Sequence, residues 1–254
     1  MTEKAGIAVV TGASRGIGLA MVRQLFCMPE VTRVYACSRK ASESEALLEL
    51  AEQQGERMSL LDVDLVLEDD IAGLAGRVAE HDVQVHWLIN CAGVLHDAAQ
   101  QLHPEKRIED IDGERLRDLF QLNAFAPILL ARYFLPLLRH DRPATFASLS
   151  ARVGSVSDNH LGGWYGYRAS KAAQNQFLRT FAIEARRRAP HLTVLALHPG
   201  TTDTGLSAPF QANVPAEKLF TPAFAAEQLL QIILGCEVEQ SGRFYAWDGR
   251  EIPW

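Results

Sequence analysis

The chain predicts a doubly wound α/β domain, a parallel sheet with helices on both faces. Three observations carry that expectation: short apolar runs alternate with amphipathic stretches, glycines cluster where the first run ends, and no Pro/Gly/Ser-rich linker divides the 254 residues. With 48% hydrophobic residues the chain can bury a large core, and its length is one that a single α/β domain commonly fills. We expect one domain over 1–254.

The apolar runs lie at 7–12 (IAVVTG), 33–38 (RVYACS), 58–65 (MSLLDVDL), 85–93 (VHWLINCAG), 144–150 (ATFASLS) and 192–200 (LTVLALHPG). Near-continuous apolarity of this length suits strands covered on both faces. Helical periodicity fills the intervals at 17–26, 42–54, 67–81, 113–140 and 166–189. Strand, helix and strand in succession imply right-handed crossovers. Asp203–Pro222 interrupts both periods with glycine, prolines and polar residues, as a mobile lid would.

A formal charge of −6 gives no basic footprint for nucleic acid or an anionic membrane. The longest apolar stretch, Ala124–Leu138, carries Arg132 and two prolines and falls short of a membrane span. Cys27, Cys37, Cys91 and Cys236 form no CxxC pair, so neither zinc nor a disulfide framework is expected, and they read as reduced and buried. The start, MTEKAGIAVVTG, shows no secretory signal, which makes the cytoplasm the default location. His160 and His198 lack companion ligands, so we expect no metal site.

In TGASRGIG (11–18) the glycines follow a strand and open a helix. Gly12 suits a tight turn, Gly16 a close backbone approach to pyrophosphate, and Gly18 close helix packing, with Ser14, Arg15 and Ile17 in the same loop. The free N–H groups of the helix would then meet the anion, as in a Rossmann fold. The second strand ends CSRK (37–40) without a carboxylate. Arg39, aided by Arg15, is suited to a ribose 2′-phosphate, which favours NADP (NADPH) over NAD; the alternative is that Arg39 and Lys40 are solvated loop cations. In YGYRASK (165–171), helical spacing puts Tyr167 and Lys171 on one face and turns Tyr165 elsewhere.

TGASRGIG, NCAG at 90–93, Asn123, YxxxK at 167–171 and PGTTDT at 199–204, in that order, resemble the short-chain dehydrogenase/reductase family over essentially the whole chain. The stretch 150–173 is most similar to its C-factor and sniffer-type carbonyl reductase branch. The resemblance implies an NAD(P)-dependent oxidoreductase acting on a small carbonyl or alcohol, with Tyr167 as general acid/base. In the family the lysine, here Lys171, holds the nicotinamide ribose and, with the oxidised nicotinamide, brings the phenol toward working pH. It further implies that Asn123 holds a water in a proton relay and that Asn90, Ala92 and Gly93 end a strand beneath the cofactor. Asp64 and Leu65, or Asp62 and Val63, would contact adenine, while Pro199, Gly200, Thr202 and Thr204 would line the nicotinamide side.

The family's substrate-steadying serine falls on Ala151; Ser150 is the provisional substitute and Ser155 another. Trp164 and Tyr165 would give a substrate wall or pack against the lid or a neighbouring subunit. The family pairs subunits through two long helices, here about 113–140 and 166–188, so a homodimer or homotetramer is expected. A competing reading keeps the fold but uses dinucleotide binding for regulation or signalling; an extended epimerase is disfavoured by length.

Overall fold

A computed structural model describes residues 6–97 and 102–254 of the protein. The first five residues, part of the segment read as lacking a secretory signal, lie outside the described residues. The main strands are β1 (Gly6–Thr11), β2 (Val31–Ser38), β3 (Met58–Asp62), β4 (Trp87–Asn90), β5 (Ala144–Leu149) and β6 (Leu192–His198). Two short strands, β7 (Thr201–Thr202) and β8 (Leu219–Phe220), form a separate parallel ribbon, and β9 (Arg243–Ala246) completes the main sheet. Its seven strands are all parallel, in the order β3-β2-β1-β4-β5-β6-β9.

The helices are α1 (Gly16–Leu25), α2 (Glu45–Gln54), α3 (Glu68–Ala79), α4 (Gly113–Phe120), α5 (Ala126–Leu138), α6 (Tyr165–Arg188) and α7 (Pro222–Gly235). All six residues of β1 are buried. Ile7 and Val9 join one core with Ile71, Phe134 and Phe181 from α3, α5 and α6. Ala8 and Val10 join the other with Met21, Leu47 and Leu229 from α1, α2 and α7. Two covered faces explain why the strands read as apolar runs without alternation. From β1 the chain winds first to β2 and β3, then back to β4 and onward, so the strand order reverses between β1 and β4. In sheets of this class ligands bind beyond the strand C-termini at that reversal.

Several expectations change. The helix expected over 113–140 is α4 and α5 joined by a π-helical turn, Gln121–Phe125, centred on Asn123. Together they give a run, Gly113–Leu138, long and apolar enough to cross a membrane by composition; Leu130, Phe134 and Leu138 bury one side of it in the core. The strands expected at 58–65 and 85–93 are shorter, because the chain leaves the sheet at Asp62 and Asn90. α7 and β9 had no counterpart in the sequence reading. The four cysteines are free, but Cys27 is exposed, and Cys91 and Cys236 are only partly buried, so the expectation of burial holds for Cys37 alone. Cys27 follows directly on the end of α1, outside the core side of that helix.

Candidate active site

The first turn of α1 receives no capping from side chains. Its N-cap, Arg15, makes no capping bond and the turn holds no acidic residue. By contrast α3 opens on Glu68, Asp69 and Asp70, α4 is capped by Asp112, and α7 by Thr221. The free N–H groups of α1 are therefore available to an anion. Gly12 takes φ +70°, and a Cβ there would lie 2.8 Å from Ala92 N. A Cβ on Gly18 would strike the Gly12 carbonyl oxygen, so helix and turn can approach only as glycines. Thr204 Cγ2 would lie 3.1 Å from a Cβ on Gly16, which brings the 199–204 segment against the glycine turn. Ser14 and Ile17 are partly buried in that turn, and Arg15 is exposed.

At the C-terminal end of β2, Arg39 is exposed, and neither its side chain nor that of Arg15 has a hydrogen bond or ion pair among the described residues. Lys40 is instead paired with Glu43 at 2.7 Å. Ser38 Oγ is buried without a partner. The Asp62 carboxylate accepts the Ser42 hydroxyl and its N–H (2.9 Å), which hold it below the usual carboxylate range. Asp64 accepts the Val66 N–H at 3.2 Å, while the Val63 and Leu65 side chains are in the core. Leu65 and Val63 therefore present only backbone groups outside the core.

At the ends of β4 and β5 the polar side chains are interlinked. Thr11 Oγ1 donates to Asn90 Oδ1 at 2.6 Å, and Asn90 Nδ2 donates to Ser148 Oγ at 2.8 Å. Asn90 Oδ1 also accepts the Ala92 N–H at 3.2 Å. Gln174 Nε2 donates to Ser148 Oγ at 2.9 Å, and Lys171 Nζ donates to Gln174 Oε1 and to the Leu149 carbonyl, both at 2.8 Å. Tyr167 and Lys171 are 6% and 3% exposed, so both lie inside the molecule on one face of α6. Burial alone raises the Tyr167 phenol above its ordinary value, and burial brings Lys171 down to about 7. Without the cofactor the phenol is raised, so the expected lowering rests on the oxidised nicotinamide as well as on Lys171.

Asn123 is fully buried in the π turn. Its Oδ1 accepts the Val94 N–H (2.8 Å), and its Nδ2 donates to the Val94 carbonyl (2.7 Å) and Ser170 Oγ (3.2 Å). A side chain on Gly93 would sit 3.3 Å from Asn123 Oδ1 and 3.5 Å from Lys171 Nζ. The glycine turn, the β4 end, Asn123 and Lys171 thus lie side by side beyond the strand C-termini.

Ser150 is buried at the end of β5, but its hydroxyl donates to Asn175 Oδ1 at 2.7 Å, and Asn175 Nδ2 donates to the Gly154 carbonyl at 3.3 Å. Its proton is committed to α6, which corrects its reading as a free donor for substrate. Ser155 Oγ lies 3.4 Å from Ser157 Oγ and accepts the Asp158 N–H. Gly200, at φ +73°, packs under Phe220 and Trp247; Thr202 Oγ1 donates to the Pro199 carbonyl at 3.3 Å, and Thr204 Oγ1 to that of Thr202 at 3.4 Å.

Trp164 packs on Tyr167 (ring centroids 6.2 Å apart) and on Phe210 (4.9 Å), and Phe210 meets His96 (5.8 Å). Trp164 therefore lies between Tyr167 and the irregular 203–222 segment, which Phe210 represents here. Tyr165 is half-exposed at the start of α6. His160 is exposed, while His198 Nδ1 is shielded without a partner, and burial lowers that ring to about 4. Sequence reasoning missed Glu105, whose carboxylate accepts the Gly166 N–H at 3.1 Å and so caps the helix one residue before Tyr167. A Cβ on Gly166 would lie 2.7 Å from Glu105 Oε1. Gln174 and Ser148 were also missed; a polar residue seven positions after Tyr167, on its helical face, was the available signal.

Comparison with known proteins fits this geometry. The C-signal protein of Myxococcus xanthus is 35% identical over 145 residues, 57% of this chain and 82% of the relative. The 1-hydroxy-2-glutathionyl-2-methyl-3-butene dehydrogenase of Rhodococcus sp. (strain AD45) is 30% identical, covering 97% of this chain and 98% of the relative. A carbonyl reductase from Pseudomonas aeruginosa PAO1, solved in complex with NADP, superposes with a TM-score of 0.80 at 25% identity, over 98% of this chain and 100% of that one. The family model described as short chain dehydrogenase matches residues 6–215, from the first strand through the glycine turn and the Tyr167–Lys171 pair, and the chain belongs to that family.

Proposed function

We propose that the protein is an NADP-dependent carbonyl reductase or alcohol dehydrogenase. The observation that carries this is a phenol and an amine buried on one helix face, at the crevice where the glycine turn leaves its N–H groups free. NADPH, when bound, supplies the hydride. Tyr167 gives its proton to the substrate carbonyl oxygen, or takes it back in the oxidation direction. Lys171, with two N–H bonds on the protein, keeps its remaining donor capacity for the nicotinamide ribose. Asn123 fixes the Val94 backbone beside it.

Asn90, Ala92 and Gly93 form the floor, with Asp64 and Leu65 toward adenine and Pro199, Gly200, Thr202 and Thr204 toward nicotinamide. Arg39, Arg15 and the unpaired Ser38 hydroxyl support a 2′-phosphate, as does the NADP held by the Pseudomonas relative. Residues up to about 150 then bind cofactor, and those beyond carry the acid/base and substrate contacts. Subunits pair through the α4–α5 and α6 faces, where Phe125, Tyr165 and Ile183 are exposed.

The test follows NADPH absorbance with a panel of aldehydes, ketones and quinones. Wild type should turn over, and Tyr167→Phe should lose about 10²–10⁴-fold in kcat while still binding NADPH. Equal turnover by both proteins, or binding without turnover in either, would refute the assignment.

A further inference from the structure

Gln174 is 0% exposed, on the face of α6 that carries Tyr167 and Lys171. A buried primary amide is costly unless its donors and acceptor are all bonded. Here they are: Nε2 donates to Ser148 Oγ (2.9 Å) and to the Leu149 carbonyl (3.2 Å), and Oε1 accepts from Lys171 Nζ (2.8 Å). The orientation follows from the Leu149 carbonyl, which can only accept and so must face the amide nitrogen, leaving the amide oxygen to Lys171. Lys171 Nζ shares the Leu149 carbonyl with the same amide, which closes a triangle of Lys171, Gln174 and the end of β5. Through Ser148 and Asn90 the triangle reaches Thr11, the residue before Gly12.

We propose that Gln174 is a positioning residue for Lys171: its amide oxygen holds the ammonium at the β5 edge, in register with the glycine turn, so that the amine's remaining N–H faces the crevice. The proposal rests on the oxidoreductase reading above. A leucine of similar volume would fill the same space without accepting from Nζ, so packing alone does not account for the amide. Burial is the only influence resolved on the Lys171 amine, with no charged side chain offsetting it. Tyr167 is the titratable group on the same helix face, and Cys91, at the β4 end, is held protonated by burial. Neutral acceptors are therefore what favours the ammonium.

The amine can be read directly on the full chain carrying lysine labelled with carbon-13 at Cε. The chain holds five lysines, and Lys171→Met identifies the signal of interest. In Gln174→Leu the Lys171 titration should move down by about one pH unit, a tenfold loss of the ammonium. In Gln174→Glu it should move up by about the same amount or more, because a carboxylate replaces a neutral acceptor. Opposite shifts support the positioning role; titrations of both variants within about 0.3 units of wild type overturn it. Should Gln174→Leu fail to fold, Gln174→Glu decides alone, and an unmoved titration there is the overturning result. The readout needs no turnover, so inactivity of wild type with every carbonyl would refute the oxidoreductase reading separately.

Discussion

At the ends of β4 and β5 Asn90, Asn123, Ser148 and Gln174 are each bonded within the protein, whereas at the ends of β1 and β2 the Arg15 and Arg39 side chains and Ser38 Oγ have no partner among the described residues. On the proposed function the two groups serve opposite needs. Proton transfer demands groups held to a fraction of an ångström, so their bonds are completed by the fold. Recognition of a phosphate needs unspent donors, so they are left open. An organised edge should fail through rate, and an open edge through affinity.

The sharpest break of that contrast is Lys171→Met, which removes a buried ammonium but keeps its length. Turnover should fall by about 10²–10⁴-fold, with a smaller loss of stability, about 1–3 kcal/mol, because the buried Gln174 Oε1 loses its donor. A drop in stability as large as the drop in rate would mean the amine is chiefly structural. Next, Arg39→Ala should weaken NADP by about 10–100-fold, the loss of one or two charged hydrogen bonds, and leave NAD binding and melting unchanged. If the unmodified protein binds NAD at least as tightly as NADP by calorimetry, the phosphate assignment fails.

Ser150→Ala sharpens the contrast within the organised edge. It leaves Asn175 Oδ1 without its donor, at a cost of about 1–3 kcal/mol, with kcat close to wild type. A large loss of kcat without a fall in stability would return Ser150 to the substrate. The smallest effect concerns acid. Burial holds both His86 and His198 at about 4, below the value they regain when unfolded. The unfolded chain then binds more protons, so stability is complete above about 6.5 and declines as pH falls toward 4. Melting curves should show that decline, and His198→Asn should make it shallower.

Periodicity and spacing carried much of the architecture and the choice of Tyr167 over Tyr165. α7 escaped because Ala225, Ala226, Leu229, Leu230 and Ile233 are buried in a segment apolar nearly all round, which leaves no clean helical stripe. β9 escaped because four residues after Gly242 are too few to establish a period. The network under Lys171 joins positions 11, 90, 148 and 174, and no local pattern connects residues so far apart. The Ser150–Asn175 bond was not legible because a strand end leaves the direction of a hydroxyl open until its neighbour on α6 is known.

The π turn around Asn123 inserts one residue into an otherwise regular spiral, so α4 and α5 are out of phase by about 100°. Any alignment that runs this helix straight through will exchange inward for outward positions on one side of Asn123. Removing a single residue between 121 and 125 should restore the regular winding and rotate α4 about its own axis. Leu119 would then turn away from Gly166, and the small-residue contact that lets the two helices touch ahead of Tyr167 would be lost.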